Sequence, residues 1–107
     1  MKYQPEDIEY IIIASHPSLR SAACVAFTID HGHGEQLVIL QEMKKTAYAY
    51  ADEIRGCIKN SVYEAFGLAV LDTILLPQGK ISKTTSGKIM RNDNRTKYLQ
   101  GEFSESL

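Results

Sequence analysis

Residues 83–89 read Lys83-Thr84-Thr85-Ser86-Gly87-Lys88-Ile89, and this heptapeptide is the most informative stretch of the chain. It places three hydroxyl side chains, one glycine and two lysines within seven residues. Hydrogen-bond donors and positive charge concentrated on a turn suit contact with a phosphate or a carboxylate. A solvated basic turn is the alternative interpretation, and composition alone does not separate the two.

The phosphate loop of nucleotide hydrolases is the first comparison for such a stretch. That loop requires a glycine five positions before its Gly-Lys pair, and a serine or threonine directly after the lysine. Here these two positions hold Ser82 and Ile89. The pattern therefore excludes a phosphate loop of that kind.

Charge is unevenly distributed around the basic stretch. The whole sequence carries a formal net charge of −1. Between residues 80 and 97, six cations stand against the single acid Asp93, so this segment carries +5 and the remaining residues −6. An anionic partner is therefore expected at the basic segment. The sequence pI of about 6.3, and the fact that only Tyr98 among the aromatic residues is near the segment, predict no nucleic-acid partner.

Composition is typical of one soluble domain. A chain of 107 residues can bury a single core but has no room for a second domain. No apolar run approaches the ~18 residues of a membrane helix, and the acidic start lacks the features of a secretion signal. We therefore predict a cytoplasmic protein without membrane insertion, in which Cys24 and Cys57 are free thiols of the core.

Hydrophobic periodicity predicts the order helix, strand, strand, helix, strand, basic loop, helix. The predicted helices cover residues 5–14, 51–66 and about 92–100, and the predicted strands cover residues 21–29, 36–42 and 69–76. Gly67 is expected to stop the second helix, and Asn92 or Asp93 to cap the third. This order predicts an α+β fold with a small sheet of about three main strands covered by helices. The domain is expected to span residues 1–107, with residues 101–107 as a flexible tail.

The basic stretch, together with Arg91, resembles the C-terminal signature Pro-Lys-Thr-x-Ser-Gly-Lys-Ile-x-Arg of adenylate-forming enzymes. This superfamily comprises acyl-CoA synthetases, nonribosomal peptide adenylation domains and luciferases. Residues 3–9, which read Tyr-Gln-Pro-Glu-Asp-Ile-Glu, resemble the segment just after the hinge between that superfamily's two domains. Ser82 departs from the signature, which usually has proline there. This departure changes the stiffness of the loop more than its charge.

Further segments resemble the fatty-acyl-AMP ligases within this superfamily. They include His16-Pro17-x-Leu19-Arg20, residues 37–42 and residues 66–76. The resemblance extends from Tyr3 to about Phe103. The chain lacks the hinge and the motif before it, so we expect its start to be a boundary within a longer protein.

The resemblance implies a role for the domain in a larger enzyme. A large N-terminal domain would bind ATP, Mg²⁺ and a fatty acid, and this C-terminal domain would close over the site as a mobile lid. Lys88 corresponds to the superfamily's catalytic lysine for acyl-adenylate formation, and Thr84, Thr85, Ser86 and Gly87 to the loop that faces substrate and nucleotide. A second orientation would deliver the acyl group to the phosphopantetheine thiol of an acyl carrier protein. The isolated domain is expected to be inactive.

Three further cations, Lys80, Lys83 and Arg91, are candidate contacts for the carrier protein, whose recognition surface is usually acidic. For Lys80 and Lys83 a solvated face is the simpler interpretation, whereas Arg91 belongs to the signature. Two other functions stay open: a non-catalytic interaction domain of the same fold, and the lid of a CoA-forming acyl-CoA synthetase. No metal site is predicted, because His31 and His33 lack a third ligand at a fixed spacing.

Overall fold

A three-stranded mixed sheet lies at the centre of the described residues. The computed structural model describes residues 3–30, 32 and 34–103. The strands are β1 (Cys24–Asp30), β2 (Glu35–Met43) and β3 (Val70–Pro77), and the α-helices of this part of the chain are α1 (Pro5–Ala14), α2 (Ala51–Phe66) and α3 (Arg91–Leu99). β2 is the middle strand and pairs antiparallel with β1 and parallel with β3. The predicted α+β class and order of elements are confirmed.

The first helix, α1, has the predicted bounds. Proline occupies its first turn, where no backbone N–H is needed, and Glu6 and Asp7 add negative charge at the positive end of the helix dipole. Ile8 and Ile12 lie one turn apart and are fully buried. After the helix, the Nδ1 atom of His16 accepts a hydrogen bond from the Ser18 N–H at 3.1 Å and starts a short 3₁₀ helix, Pro17–Leu19.

The long helix α2 belongs to the crossover that joins the parallel strands β2 and β3. Its core-facing side chains Ile54, Ile58 and Val62 repeat every four residues and are fully buried. Gly67 ends the helix as predicted: its φ of +67° is a left-handed conformation that favours glycine, and its N–H donates to the Tyr63 carbonyl at 2.8 Å. Ala65 follows Ile58 by seven residues, a spacing that predicts the same face of the helix, but it is exposed.

The core has two layers because alternate residues of β2 point to opposite faces of the sheet. On one face Leu37 and Ile39 pack with the isoleucines of α1 and α2. On the other face Val38 and Leu40 join a second cluster with residues of β1, β3 and the segments that follow β3. The helices therefore cover both faces of the sheet, with α3 on the side of the second cluster, where Tyr98 packs against it.

The C-terminal region differs from the prediction in two ways. Helix α3 begins at Arg91 after Met90 and has no side-chain cap, so the predicted cap by Asn92 or Asp93 is wrong. Both residues lie inside the first turn, where Asp93 still complements the helix dipole. The predicted tail begins within packed structure, since Phe103 is only 7% exposed in the second cluster. Residues 104–107 lie outside the described residues.

Cys24 and Cys57 are free thiols, the first buried and the second half-buried. Burial raises the pKa of the Cys24 thiol well above its usual value. Among the described residues, no helix is long and apolar enough to span a bilayer.

Candidate active site

The basic stretch forms a hairpin that follows β3 and leads into α3. Residues 82–90, called here the Gly-Lys hairpin, are closed by an isolated antiparallel bridge between Lys83 and Ile89. Near its tip the Thr84 N–H donates to the Lys88 carbonyl at 2.8 Å, and at its neck the Met90 N–H donates to the Ser82 carbonyl at 3.0 Å. The hairpin is therefore an ordered element with a defined tip and neck.

Hydroxyl side chains and one glycine shape the tip of the hairpin. Thr84 Oγ1 accepts from the Lys88 N–H at 3.0 Å and lies 3.0 Å from Ser86 Oγ. Gly87 has a φ of +89°, a conformation that a residue with a Cβ rarely adopts. The hydroxyls of Thr84 and Ser86 thus bond within the turn, whereas Thr85 makes no side-chain hydrogen bond with the described residues.

Lys88 lies on the exposed surface of the hairpin. Its carbonyl accepts from the Thr84 N–H and its N–H donates to Thr84 Oγ1. Its ammonium group forms no ion pair or hydrogen bond with the described residues. An ammonium on an ordered turn, with no internal partner in this part of the chain, can bind an external anion. The structure therefore brings together Lys88 and the predicted loop residues 84–87 on one short element.

Asn94 holds the neck of the hairpin, and the sequence reasoning missed it. Its side chain is fully buried and makes three hydrogen bonds. Oδ1 accepts from the Ser82 N–H at 2.8 Å, while Nδ2 donates to the carbonyls of Ser82 at 3.1 Å and Met90 at 2.9 Å. The signal in the sequence is weak: Asn94 lies within a predicted helix although asparagine is a poor helix former. An asparagine at such a position often hydrogen-bonds to nearby backbone groups.

Glu42 is a second anchor that the sequence reasoning missed. It is only 3% exposed, and its Oε2 accepts a hydrogen bond from the Ile81 N–H at 2.8 Å. Its Oε1 lies 4.0 Å from Nζ of Lys83. An available signal was strand alternation, which places this acid on the same buried face as Val38 and Leu40.

Arg91 is bound within the domain. Its guanidinium bonds to the Glu9 carboxylate, donates to the Ala26 carbonyl at 2.7 Å and lies 3.3 Å from Oε1 of Glu6. Burial lowers the pKa of Arg91, but the hydrogen bond and charge of Glu9 outweigh this and raise it overall. This signature residue therefore ties α3 to α1 and β1.

The other cations of α3 also make contacts within the domain. Arg95 Nε donates to the Thr28 carbonyl at 2.8 Å, and Lys97 Nζ lies 2.5 Å from Ser82 Oγ and 3.6 Å from Asp93. A hydrogen bond with Ser82 and the charge of Lys97 lower the pKa of Asp93. Lys80 differs from them because it is exposed and has no ion pair with the described residues.

Among residues 3–30, 32 and 34–103, no group of three or more His, Cys, Asp or Glu side chains could hold a metal ion. His31 and His33, which the sequence analysis considered as ligands, lie outside this part of the chain.

Comparisons with known proteins agree on one family. A model of the family described as "Disco-interacting protein 2-like, AMP domain" matches residues 1–106. The chain is 35% identical to the medium-chain-fatty-acid–[acyl-carrier-protein] ligase JamA of Moorena producens over 105 residues, which are 96% of this chain and 18% of that protein. It is 35% identical to a putative fatty-acid–CoA ligase, fadD25, of Mycobacterium tuberculosis, with 95% of this chain and 18% of the relative covered.

A solved structure supports the same relationship at the level of the fold. The crystal structure of a fatty acid AMP ligase from Legionella pneumophila matches with a TM-score of 0.74 and 31% identity. The match covers 92% of this chain and 18% of that protein. The chain thus spans about a fifth of the length of the relatives that it matches.

Proposed function

Because the chain belongs to the Disco-interacting protein 2-like AMP domain family, we propose that it is the mobile C-terminal domain of a fatty-acyl-AMP ligase. The observation that carries the proposal is the Gly-Lys hairpin, which presents an exposed Lys88 on an ordered turn. Residues 1–107 would act as a lid and be inactive alone. An N-terminal domain would bind the fatty acid and ATP, and the relatives, which are several times longer than this chain, have room for one.

Lys88 would stabilise the transition state of adenylate formation. As the fatty-acid carboxylate attacks the α-phosphorus of ATP, a bond forms from the carboxylate oxygen to phosphorus and the bond to pyrophosphate breaks. Negative charge increases on the phosphate oxygens during this step. A positioned ammonium lowers the energy of that charge, and removal of one such donor costs ~10²–10³ in rate.

The described residues fit a nucleotide phosphate better than a divalent metal. The hairpin offers the Lys88 ammonium and the Thr85 hydroxyl, neither of which has a side-chain partner among the described residues. The nearby acids Glu42 and Asp93 are occupied by Ile81 and Lys97. We therefore assign Mg²⁺ binding to the N-terminal domain and contact with phosphate oxygens to Lys88.

The acyl acceptor is proposed to be the phosphopantetheine thiol of an acyl carrier protein. Lys80 and Lys83 are exposed and could contact an acidic carrier surface, whereas the contacts of Arg91 favour a structural role for it. The similarity to a putative CoA ligase makes free CoA the second candidate. An assay of the complete enzyme with both acceptors separates the two.

Lys88→Ala tests the proposed role of the hairpin in the complete enzyme. We expect acyl-adenylate formation to fall by ~10²–10³, because the charge on the phosphate oxygens loses its partner. Transfer from preformed acyl-adenylate should be spared, because the lid would take its second orientation for that step and Lys88 would no longer lie against the α-phosphate. Pyrophosphate exchange measures the first step and acyl transfer measures the second.

Lys59→Ala, which removes an exposed lysine of α2, is the matched control and should leave both steps unchanged. Equal losses in both half-reactions of Lys88→Ala would contradict the assignment. Absence of activity in every combination of domains would favour the non-catalytic interaction domain.

A further inference from the structure

We propose that Asn94 is a positioning residue for Lys88, because it fixes both ends of the Gly-Lys hairpin from within α3. The inference rests on the proposed function of Lys88. The hydrogen bonds of Asn94 to the hairpin, called here the clamp, are a property of the domain and can be measured without an activity assay.

The Asn94 amide bonds to the first and last residues of the hairpin. It accepts from the N–H of Ser82 and donates to the carbonyls of Ser82 and Met90, all within 2.8–3.1 Å. These are three of the four hydrogen bonds available to a primary amide. The amide therefore spans the neck and, with the backbone hydrogen bond from the Met90 N–H to the Ser82 carbonyl, sets the distance between the two strands of the hairpin.

Burial makes this arrangement specific for asparagine. The side chain has no exposed surface, so no solvent replaces a lost hydrogen bond, and an unpaired buried amide would cost free energy. Aspartate has the same shape but lacks the two donors and adds a buried charge. Leucine has a similar size and makes none of the three hydrogen bonds.

Other contacts at the neck make the base rigid. Ile81 is held by Glu42 of β2, and the hydroxyl of Ser82 is held by Lys97 of α3. Ile89 packs against the second core cluster. These contacts hold Ile81, the Ser82 hydroxyl and Ile89, whereas Asn94 holds the backbone of both Ser82 and Met90, so a change at Asn94 moves the tip relative to the rest of the domain. A displacement of about 1 Å at a reacting centre can cost ~10² in rate.

The first test compares Asn94→Asp and Asn94→Leu with the control Asn92→Asp, which alters an exposed asparagine of the same helix. In the complete enzyme we expect a loss of ~10² in kcat for adenylate formation. The KM for ATP and the rate of acyl transfer from preformed adenylate should stay unchanged. Asn94→Leu carries the test if the buried charge of Asn94→Asp prevents folding.

A double variant shows whether Asn94 acts through Lys88. If it does, Asn94→Leu causes no further loss of adenylate formation in the Lys88→Ala background. A further loss as large as that of Asn94→Leu alone would overturn the proposal and indicate a general structural role.

Hydrogen exchange of the 107-residue chain tests the clamp independently. We expect the amides of Thr84, Gly87 and Lys88 to exchange about tenfold faster or more in Asn94→Leu than in the wild type, and to keep their rates in Asn92→Asp. Unchanged hairpin amides would overturn the proposal even if activity falls. If Lys88→Ala leaves adenylate formation intact, the proposed function fails, and exchange still decides whether Asn94 holds the hairpin.

Discussion

A single tyrosine connects α3 to the sheet through both its ring and its hydroxyl. The ring of Tyr98 lies 5.7 Å from that of Phe27 in an edge-to-face arrangement, and its hydroxyl donates to Oδ2 of Asp72 at 2.9 Å. Burial, and then the hydrogen bond to Asp72, raise the pKa of Tyr98 to about 12. The folded domain therefore keeps the phenol protonated at a pH where a free tyrosine loses its proton.

The first prediction follows from the sign of this shift. The folded-state pKa of about 12 exceeds the ordinary value of 10.0. The protonated Tyr98 therefore adds to the free energy of unfolding in full below pH 10, and this contribution is lost as the pH rises through 12. Tyr98→Phe should remove this part of the pH dependence. Urea unfolding at a series of alkaline pH values measures it. Tyr63→Phe, at a tyrosine that is 66% exposed, should keep it, and equal pH profiles for the wild type and Tyr98→Phe would contradict the prediction.

Single residues differ in whether the sequence alone could identify them as part of the site. Lys88 and Gly87 could be proposed as site residues from the sequence because they belong to a contiguous signature. Asn94 and Glu42 could not, because their partners lie 12 and 39 residues away along the chain. Only the folded structure shows which backbone groups those side chains reach.

Arg91 joins three elements that lie far apart in sequence. The sequence separations of its bonds to Glu9 in α1 and to Ala26 in β1 are 82 and 65 residues. Glu9 also accepts a hydrogen bond from the Ala26 N–H at 2.7 Å, and its side chain is only 15% exposed. The carboxylate therefore depends on Arg91 for its charge partner.

The second prediction concerns this junction. Arg91→Met should lower the free energy of unfolding by about 1–3 kcal/mol, because a largely buried carboxylate loses a charged hydrogen bond. Denaturant unfolding of the domain measures the change. Lys59→Met, at an exposed position of α2, serves as the control, and a loss no larger than in that variant would refute the structural role.

The elements themselves were largely predictable from local pattern. The bounds of α1 and α2 follow from repeated isoleucines and from Gly67, because each signal acts within one or two turns. The start of α3 was not predictable in the same way. It begins without a capping side chain after the hairpin, whose neck is held by contacts within α3 and β2.

The whole molecule consists of a packed body and a hairpin that projects from it. Two core clusters on opposite faces of the sheet fix the helices, and the Gly-Lys hairpin leaves this body between β3 and α3. The net charge of −1 gave little information, whereas the +5 segment located the hairpin. Charge alone did not show that the cations of α3 turn inward and that Lys88 and Lys80 stay exposed.

The third prediction concerns the chain and a separate N-terminal domain. A separately made N-terminal domain should form little acyl-adenylate alone and more when this chain is added, because the lysine would then come from a second molecule. The restored activity should depend on Lys88, as measured by pyrophosphate exchange with wild-type and Lys88→Ala chains. Restoration by the Lys88→Ala chain would show that the lid acts through contacts other than this lysine.

The bond between Arg91 and Glu9 also constrains the order of assembly during protein synthesis. The two residues are 82 positions apart, and ribosomes add about 5–20 residues per second. Glu9 is therefore synthesised roughly 4–16 s before Arg91. In that interval α1 and β1 have neither Arg91 nor the cover that α3 gives to the sheet. The domain can therefore close its fold only after nearly all of it has left the ribosome.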